Sequence, residues 1–312
     1  MSFALANTLG KRREPFLLIS DFTGKKVDVF PLEKLKEENI QFSIDEKFSY
    51  TKHKHHIKVF PIPFDTYKMK FEKVIEKIRS GDTYVLNLTQ ATKIDTDLEL
   101  KDIYKITNAH YKLFYKDKFV CFSPEKFIQI ENEIIHTFPM KGTVDASLEN
   151  AEVSILENEK EMAEHVMIVD LLRNDLSIVA RDVKVEKFRY ITKLCAGKKN
   201  LLQVSSHISG NVGSNWHESV GDILSAILPA GSISGAPKKS TLKIIEEVEE
   251  YERGYFSGIF AYYDGNSLDS GVMIRFIEKT KEGLFYKSGG GITLDSNAFL
   301  EYKELQDKIY LP

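Results

Sequence analysis

The chain has 312 residues, of which 42% are hydrophobic and 29% charged, a globular composition that excludes a disordered or collagen-like chain. With 43 Lys and Arg against 46 Asp and Glu, the formal net charge is −3, which leaves no basic excess for a phosphate backbone or an anionic lipid surface, so neither nucleic acid nor membrane is an expected partner. Cys121 and Cys195 are the only cysteines, too few for a disulfide framework or a thiolate zinc site. With no apolar leader and no run of 18 apolar residues, they point to a cytoplasmic protein.

In chain order, FLLISDF, Thr23-Gly24 and KVDVF read as a hairpin, followed by charged text as far as the proline-rich FPIPFD. Residues 1–64 are thus expected to be a short layer of the same unit as the rest. From Tyr67 to Arg79 the apolar residues Phe71, Val74, Ile75 and Ile78 recur at helical spacing, and Ser80-Gly81-Asp82 ends the helix before a strand, TYVLNLTQ. FVCFSP, KFIQIENEIIHTF and FSGIFAYY read as strands, interleaved with helices around Leu156–Asp175, Val220–Ile227, Lys239–Glu250 and Phe299–Ile309. No internal repeat or low-complexity linker divides them, so the pattern predicts one interwoven α+β unit.

Several segments carry chemistry-bearing residues. In NEKEMAEHVMIVDLLRNDL, Glu161 and Glu164 lie three apart beside the apolar stripe Met162, Val166, Val169 and Leu172. On one helix this is ordinarily a solvated acidic edge. AFLEYKELQDKI repeats the pattern with Glu301, Glu304 and Lys308 on one line, and two helices each giving a glutamate suit a magnesium ion that keeps positions open for an anionic ligand. LPAGSISGAPKKST resembles a phosphate cradle but puts Ala236-Pro237 between Gly235 and Lys238, which breaks the Walker pattern. It leaves a loop of backbone N–H groups opening a helix, suited equally to a carboxylate.

In KSGGGITLDS, Gly289, Gly290 and Gly291 form either a loop that admits a ligand closely or a plain turn. Arg275, in the alternating run SGVMIRFIE, is a carboxylate clamp if it faces inward and a surface arginine otherwise. His53, His55 and His56 lack ligand spacing and read as exposed. Glu125, after Ser123-Pro124, and Lys141, in FPMKGT, are an acid and an amine whose burial would suit them to proton donation and nucleophilic attack.

Taken together and in order, SPEKF, FPMKGT, AEHVMIVDLLRNDL, AGSISGAPKKS, RGYFSG, MIRF, GGGITLDS and EYKELQDK over residues 65–310 resemble the chorismate-utilising enzymes. The resemblance implies two large packed antiparallel-rich sheets flanked by helices, with residues 65–312 as the chorismate-binding catalytic domain. It implies Mg²⁺ on Glu164 and Glu304 with Glu161 and Glu301 in support, and Lys308 near the substrate. Arg275 and Gly289–Gly291 would hold one carboxylate, Ser234, Gly235 and Ala236 would lie beside the other, and Thr143 and Phe256 would contact substrate.

Lys141 in a Pro-x-Lys-Gly-Thr setting is similar to the aminodeoxychorismate synthase branch of the family, where the anthranilate and isochorismate branches carry alanine. The water-activating lysine of isochorismate synthases is replaced by Val85. That branch implies amination of chorismate at C4, ammonia from a separate glutaminase subunit, and a downstream aminodeoxychorismate lyase. An anthranilate synthase large subunit and a non-catalytic subunit on the same fold are the alternatives. The chain departs from the family at Gln203, where a histidine is common, and at Phe256, where tyrosine is.

Overall fold

The computed structural model describes residues 2–45, 55–196 and 199–311, with the side chains of Thr143, Lys160 and residues 194–201 outside that set. The elements run α1 (Phe3–Lys11), β1 (Phe16–Ser20), β2 (Val27–Pro31), β3 (Ile40–Ile44), β4 (Ile57–Phe60), α2 (Phe64–Arg79), β5 (Val85–Thr96), α3 (Leu100–Ile106), β6 (Tyr111–Tyr115), β7 (Phe119–Ser123), β8 (Lys126–Glu131), β9 (Ile134–Thr137) and β10 (Met140–Asp145). They continue with α4 (Ala151–Glu157), α5 (Glu159–Val179), β11 (Arg181–Ala196), β12 (Lys199–Asn211), α6 (Val220–Ile227), β13 (Gly235–Ala236), α7 (Lys238–Glu249), β14 (Ile259–Tyr263), β15 (Leu268–Val272), β16 (Phe276–Thr280), β17 (Gly283–Ile292) and α8 (Ala298–Asp307).

Among the described residues the strands form two antiparallel sheets. The first has the order β10-β12-β9-β8-β15-β14-β1-β2 with β11 on β12, and the second has β13-β5-β17-β16-β7-β6-β3 with β4 on β5. The expected hairpin is β1 paired with β2, Phe16 opposite Pro31. The N-terminal strands serve both sheets, β1 pairing β14 in the first and β3 pairing β6 in the second.

The period-two alternation of the strands divides the apolar residues into layers. Leu17, Ile19 and Phe260 of the first sheet pack on Leu113, Phe119, Cys121 and Phe276 of the second. The opposite face of the first sheet, with Leu18, Ala261, Ile130 and Ile135, meets helical Val169, Leu172, Leu224 and Ile227. The outer face of the second, with Ile94, Phe114, Val120 and Tyr286, is covered by Leu100 and Ile103 of α3. Each fully buried side chain of this kind contributes about 1.5–3 kcal/mol of transfer free energy.

Helix α1 was not legible in the sequence. Its nine residues bury only Ala6, Leu9 and Gly10, too short a stripe to stand out. It is held by close approach: a Cβ on Gly10 would lie 2.1 Å from the His217 carbonyl, and Asn7 accepts the Gly221 N–H at 2.7 Å, satisfying a free donor at the start of α6.

Two neighbouring steps between the sheets position the functional residues. Pro124-Glu125 carries the chain from β7 in the second sheet to β8 in the first, and Met273-Ile274-Arg275 carries it back from β15 to β16. The steps are tied together: the Phe122 N–H donates to the Arg275 carbonyl at 3.1 Å and the Val272 N–H to the Glu125 carbonyl at 3.0 Å. Arg275 therefore does not lie within a continuous alternating strand, as the sequence suggested. It occupies the corner with φ +52°, a left-handed conformation uncommon for a non-glycine residue.

Candidate active site

The two corners, the end of β17, the start of β10, the turn at 231–233 and Lys308 just after α8 enclose a cavity of about 170 Å³. Its lining includes Lys126, Lys141, Arg275, Lys287 and Lys308 but one carboxyl, Glu125. The cavity surface is therefore cationic, although each of its four lysines also pairs with a carboxylate outside the lining, Asp269, Glu164, Glu278 and Glu304.

Glu125 faces the cavity from deep in the protein. Its Oε1 accepts the Ser232 hydroxyl at 2.7 Å, and its N–H donates to Ser123 Oγ at 3.1 Å. Burial pushes its carboxyl above the usual range, against the opposing pull of Ser232, Lys141, Arg275 and Lys308. A carboxyl raised in this way is suited to proton donation. Across the cavity Arg275 has a buried Nε with no hydrogen-bond partner among the described residues, and its guanidinium lies 5.9 Å from the Tyr310 ring. An unspent buried donor facing a cationic cavity is suited to an oxyanion.

Lys141 reaches the cavity through a bulge. Strands β9 and β10 follow β12 in one register, from Ile134 opposite Asn211 to Lys141 opposite Val204. Gly142, at φ +79°, then shifts the register so that Thr143 lies opposite Gln203. A Cβ on Gly142 would lie 3.1 Å from Glu161 Oε2 and 3.3 Å from Ile155, so glycine supplies both the conformation and the room. Lys141 Nζ ends 3.8 Å from Glu164 Oε2 and 3.4 Å from where a Gly291 Cβ would be.

Gly289, Gly290 and Gly291 are not a loop. They continue β17 opposite Thr89, Leu88 and Asn87 of β5, and what they provide is the absence of side chains. A Cβ on Gly290 would lie 3.3 Å from Glu301 Oε2 and 3.8 Å from Glu304 Oε1. Glu301 accepts the Ser296 hydroxyl at 2.8 Å, while Lys308 Nζ bridges Glu304 Oε1 and the Gly289 carbonyl, 2.7 Å from each.

The carboxylates are hard oxygen donors of the kind magnesium takes, and Glu301 and Glu304 converge on Gly290 from one helix. Among the described residues no group of three His, Cys, Asp or Glu side chains closes into a metal cage. The donor set fits an ion that uses one or two carboxylates and fills its remaining positions with water and ligand oxygens.

The expectation for Ser234, Gly235 and Ala236 needs correction. Ser234 is fully buried and donates to the Ala230 carbonyl at 2.9 Å, and Gly235-Ala236 form the short strand β13 on β5. None of the three lines the cavity; Ser232 and Ile233 do. The start of α7 does not line the cavity either, and Lys238 there is engaged by Asp175 at 2.8 Å. Phe256 does line the cavity. The side chain of Thr143 and all of His53 lie outside the described residues. His56 is exposed as expected, whereas His55 is half-buried.

The lining residues that sequence reasoning did not single out include Asn87, Lys126, Ser232 and Lys287. Lys126 pairs with Asp269 at 3.0 Å, and Lys287 donates to the Arg253 carbonyl at 2.9 Å. Lys126 and Ser232 stand inside motifs already singled out, beside Glu125 and two residues before Ser234. Gly231–Ile233 form a 3₁₀ turn, in which no two-residue alternation separates Ser232 from Ser234.

A family model for chorismate binding enzymes matches residues 31–311, and the chain belongs to that family. It is 47% identical to a "PabA-like protein" of Haemophilus influenzae, over 98% of this chain and 95% of that protein. It is 33% identical to aminodeoxychorismate synthase component 1 of Bacillus subtilis, over 80% of this chain and 56% of that protein. Its identity to anthranilate synthase component 1 of Acetivibrio thermocellus is 32%, over 83% of this chain and 55% of that protein. The chain thus spans a little over half the length of these two component 1 proteins.

The fold is shared with anthranilate synthase component I of Streptococcus pneumoniae, at TM-score 0.69 and 24% identity, over 99% of this chain and 78% of that one. It is also shared with the menaquinone-specific isochorismate synthase of Escherichia coli, at TM-score 0.73 and 13% identity, over 97% and 79%. Among the described residues no helix is long and apolar enough to cross a membrane.

Proposed function

We propose that this chain aminates chorismate at C4 with ammonia, giving 4-amino-4-deoxychorismate for p-aminobenzoate and folate synthesis. The observation that carries the reading is the Lys141 amine, which the Gly142 bulge turns into a cationic cavity beside Glu164 and Gly291. The aminodeoxychorismate synthase component 1 relatives support it.

Chorismate is a dianion, and the Arg275 and Lys308 side chains are suited to orient its carboxylates. Lys141, as the unprotonated amine, attacks C2 while both ring double bonds shift, C1=C2 to C1=C6 and C5=C6 to C4=C5, and the C4 hydroxyl departs as water, taking its proton from Glu125. Ammonia then attacks C4, the double bonds shift back, and the lysine amine leaves C2, which divides one difficult displacement into two easier ones. Glu164 and Glu304, with Glu161 and Glu301, would hold Mg²⁺, whose positive charge would draw electron density from the ring.

Ammonia at neutral pH is mostly ammonium, so a separate glutamine amidotransferase subunit is the proposed source. The relatives' component 1 and PabA-like names support such a partner, and an aminodeoxychorismate lyase would complete p-aminobenzoate. The test is incubation with chorismate, Mg²⁺ and ammonium salt, with and without that lyase. p-Aminobenzoate only with lyase is the expected result. Anthranilate without lyase would assign the chain to the reaction of its anthranilate synthase relatives, and unchanged chorismate would mark a non-catalytic subunit.

A further inference from the structure

Ser206, on β12, joins β11, α5 and the residue that leads into β10; Ile168 and Leu172 of α5 and Met140 and Lys141 of β10 line the cavity. Its hydroxyl accepts the Arg189 N–H of β11 at 2.9 Å and shares a 2.7 Å hydrogen bond with His165 Nε2 of α5, and its N–H donates to the Pro139 carbonyl at 2.9 Å, two residues before Lys141. His165 is 1% exposed. Its Nδ1 has no partner among the described residues, so the Ser206 bond is the imidazole's one tie.

Arg189 extends the joint. It is buried and left-handed at φ +48°, at a bulge where β11 slips register against β12. Its guanidinium donates to the Leu156 carbonyl at 2.7 Å and the Ile155 carbonyl at 2.9 Å, with Met162 Sδ at 3.1 Å. It thereby satisfies the last carbonyls of α4 and touches the first turns of α5. A non-glycine residue in that conformation costs of order 1–3 kcal/mol and persists where its surroundings over-determine it.

We infer that His165 and Ser206 are positioning residues: their hydrogen bond holds the Glu161 and Glu164 carboxylates of α5 in register with the Lys141 amine of β10. His165 immediately follows Glu164, and Pro139 leads directly into the strand that carries Lys141. At 3.8 Å the Lys141–Glu164 contact stands near the limit for an ion pair, so a shift of about 1 Å between helix and strand would dissolve it, and misplacements of that size cost up to about 10²-fold in rate. The inference rests on the proposed role of Lys141 for its catalytic meaning, but the joint can be tested without catalysis.

The experiment is reductive methylation of the intact protein, following Lys141 by peptide mass spectrometry. His165→Leu keeps the volume and removes the bond; Ser206→Ala removes it from the other side. Each is expected to speed Lys141 labelling about threefold, the scale of loosening one part-exposed ion pair. The double variant should label no faster than Ser206→Ala alone, which already removes the His165 bond together with the Arg189 contact. His165→Gln, whose amide reaches Ser206, should recover most of the loss. Ile103→Val, in the separate core under α3, supplies a variant of comparable melting temperature and should leave Lys141 labelling unchanged.

Wild-type labelling in both singles, additive effects in the double, or equal acceleration by Ile103→Val would each overturn the inference. Because labelling needs no substrate, a failure of C4 amination in the chorismate assay would refute the proposed function while leaving this result standing.

Discussion

Helices α5 and α8 open in the same way and are secured by different means. In each, a capping asparagine accepts N–H groups of the first turn, Asn158 from Glu161 at 3.0 Å and Asn297 from Phe299 at 3.0 Å, and two glutamates three residues apart follow, the first of each pair, Glu161 and Glu301, in the first turn near the positive end of the helix dipole. On α8 the pair is held by neighbours in sequence: Ser296 donates to Glu301, and Lys308, one turn on, holds Glu304 at 2.7 Å. On α5 Glu164 meets Lys141, from another element, at 3.8 Å, and the helix is bonded to β12 and β11. Local contacts specify one carboxylate pair and tertiary contacts the other, so substitutions should separate them.

The largest effect is expected at Lys141, where the α5 pair meets the proposed nucleophile. Lys141→Ala leaves Arg275, Lys308 and Glu125 in place, so chorismate affinity by calorimetry should stay near wild type. C4 amination should fall on the order of 10²-fold or more, with residual product shifted to the C2 amine.

Next come the carboxylates. Glu164→Gln and Glu304→Gln should each lower turnover at least about tenfold and raise the Mg²⁺ concentration needed for half-maximal rate, since each removes a charged oxygen donor. The comparison predicts an asymmetry: Glu164→Gln should also speed Lys141 methylation, and Glu304→Gln should not. Wild-type turnover of the native protein in excess chelator would refute the metal proposal.

A smaller effect is expected from Gly290→Ala. Its Cβ would lie 3.3 Å from Glu301 Oε2, so the carboxylate must give by a few tenths of an ångström. The Mg²⁺ requirement should rise several-fold, on the order of 1 kcal/mol in binding, with melting temperature little changed.

The pH dependence of stability isolates Glu125. Burial raises its carboxyl above the ordinary 4.5, so in the interval above that value the folded state holds a proton the unfolded chain has released. This contribution is present in full below the unfolded value and is lost as pH rises through the raised one. Denaturant titrations of both proteins across that interval should show the wild type losing stability relative to Glu125→Gln as pH rises. An unchanged slope in the variant would show that the carboxyl is not kept neutral.

The two helices also mark how far the sequence could be read. Glu301, Glu304 and Lys308 repeat at helical spacing, so their shared face followed from periodicity alone. Glu161 and Glu164 were found in the same way, but their partners were not, because the Gly142 bulge and the Ser206 joint bring together residues from four separate elements. Arg275 and Gly289–Gly291 were singled out and do line the cavity, but were assigned the wrong local structure. A sheet-to-sheet corner keeps strand-like composition, and a glycine run in a strand reads as a turn unless the carboxylates it makes room for are visible. Ser232 was overlooked for Ser234 because hydroxyl spacing within a turn does not reveal which of two serines faces inward.

The most direct test of the account is to mix the native protein with chorismate and Mg²⁺ in the absence of ammonia, quench, and measure the mass of the peptide carrying Lys141. A chorismate-derived adduct on Lys141, lost when ammonium is added and absent in Lys141→Ala, is the predicted result. If no adduct forms, and Lys141→Ala aminates C4 at the wild-type rate, the lysine is not the nucleophile and the C4 chemistry must be assigned elsewhere.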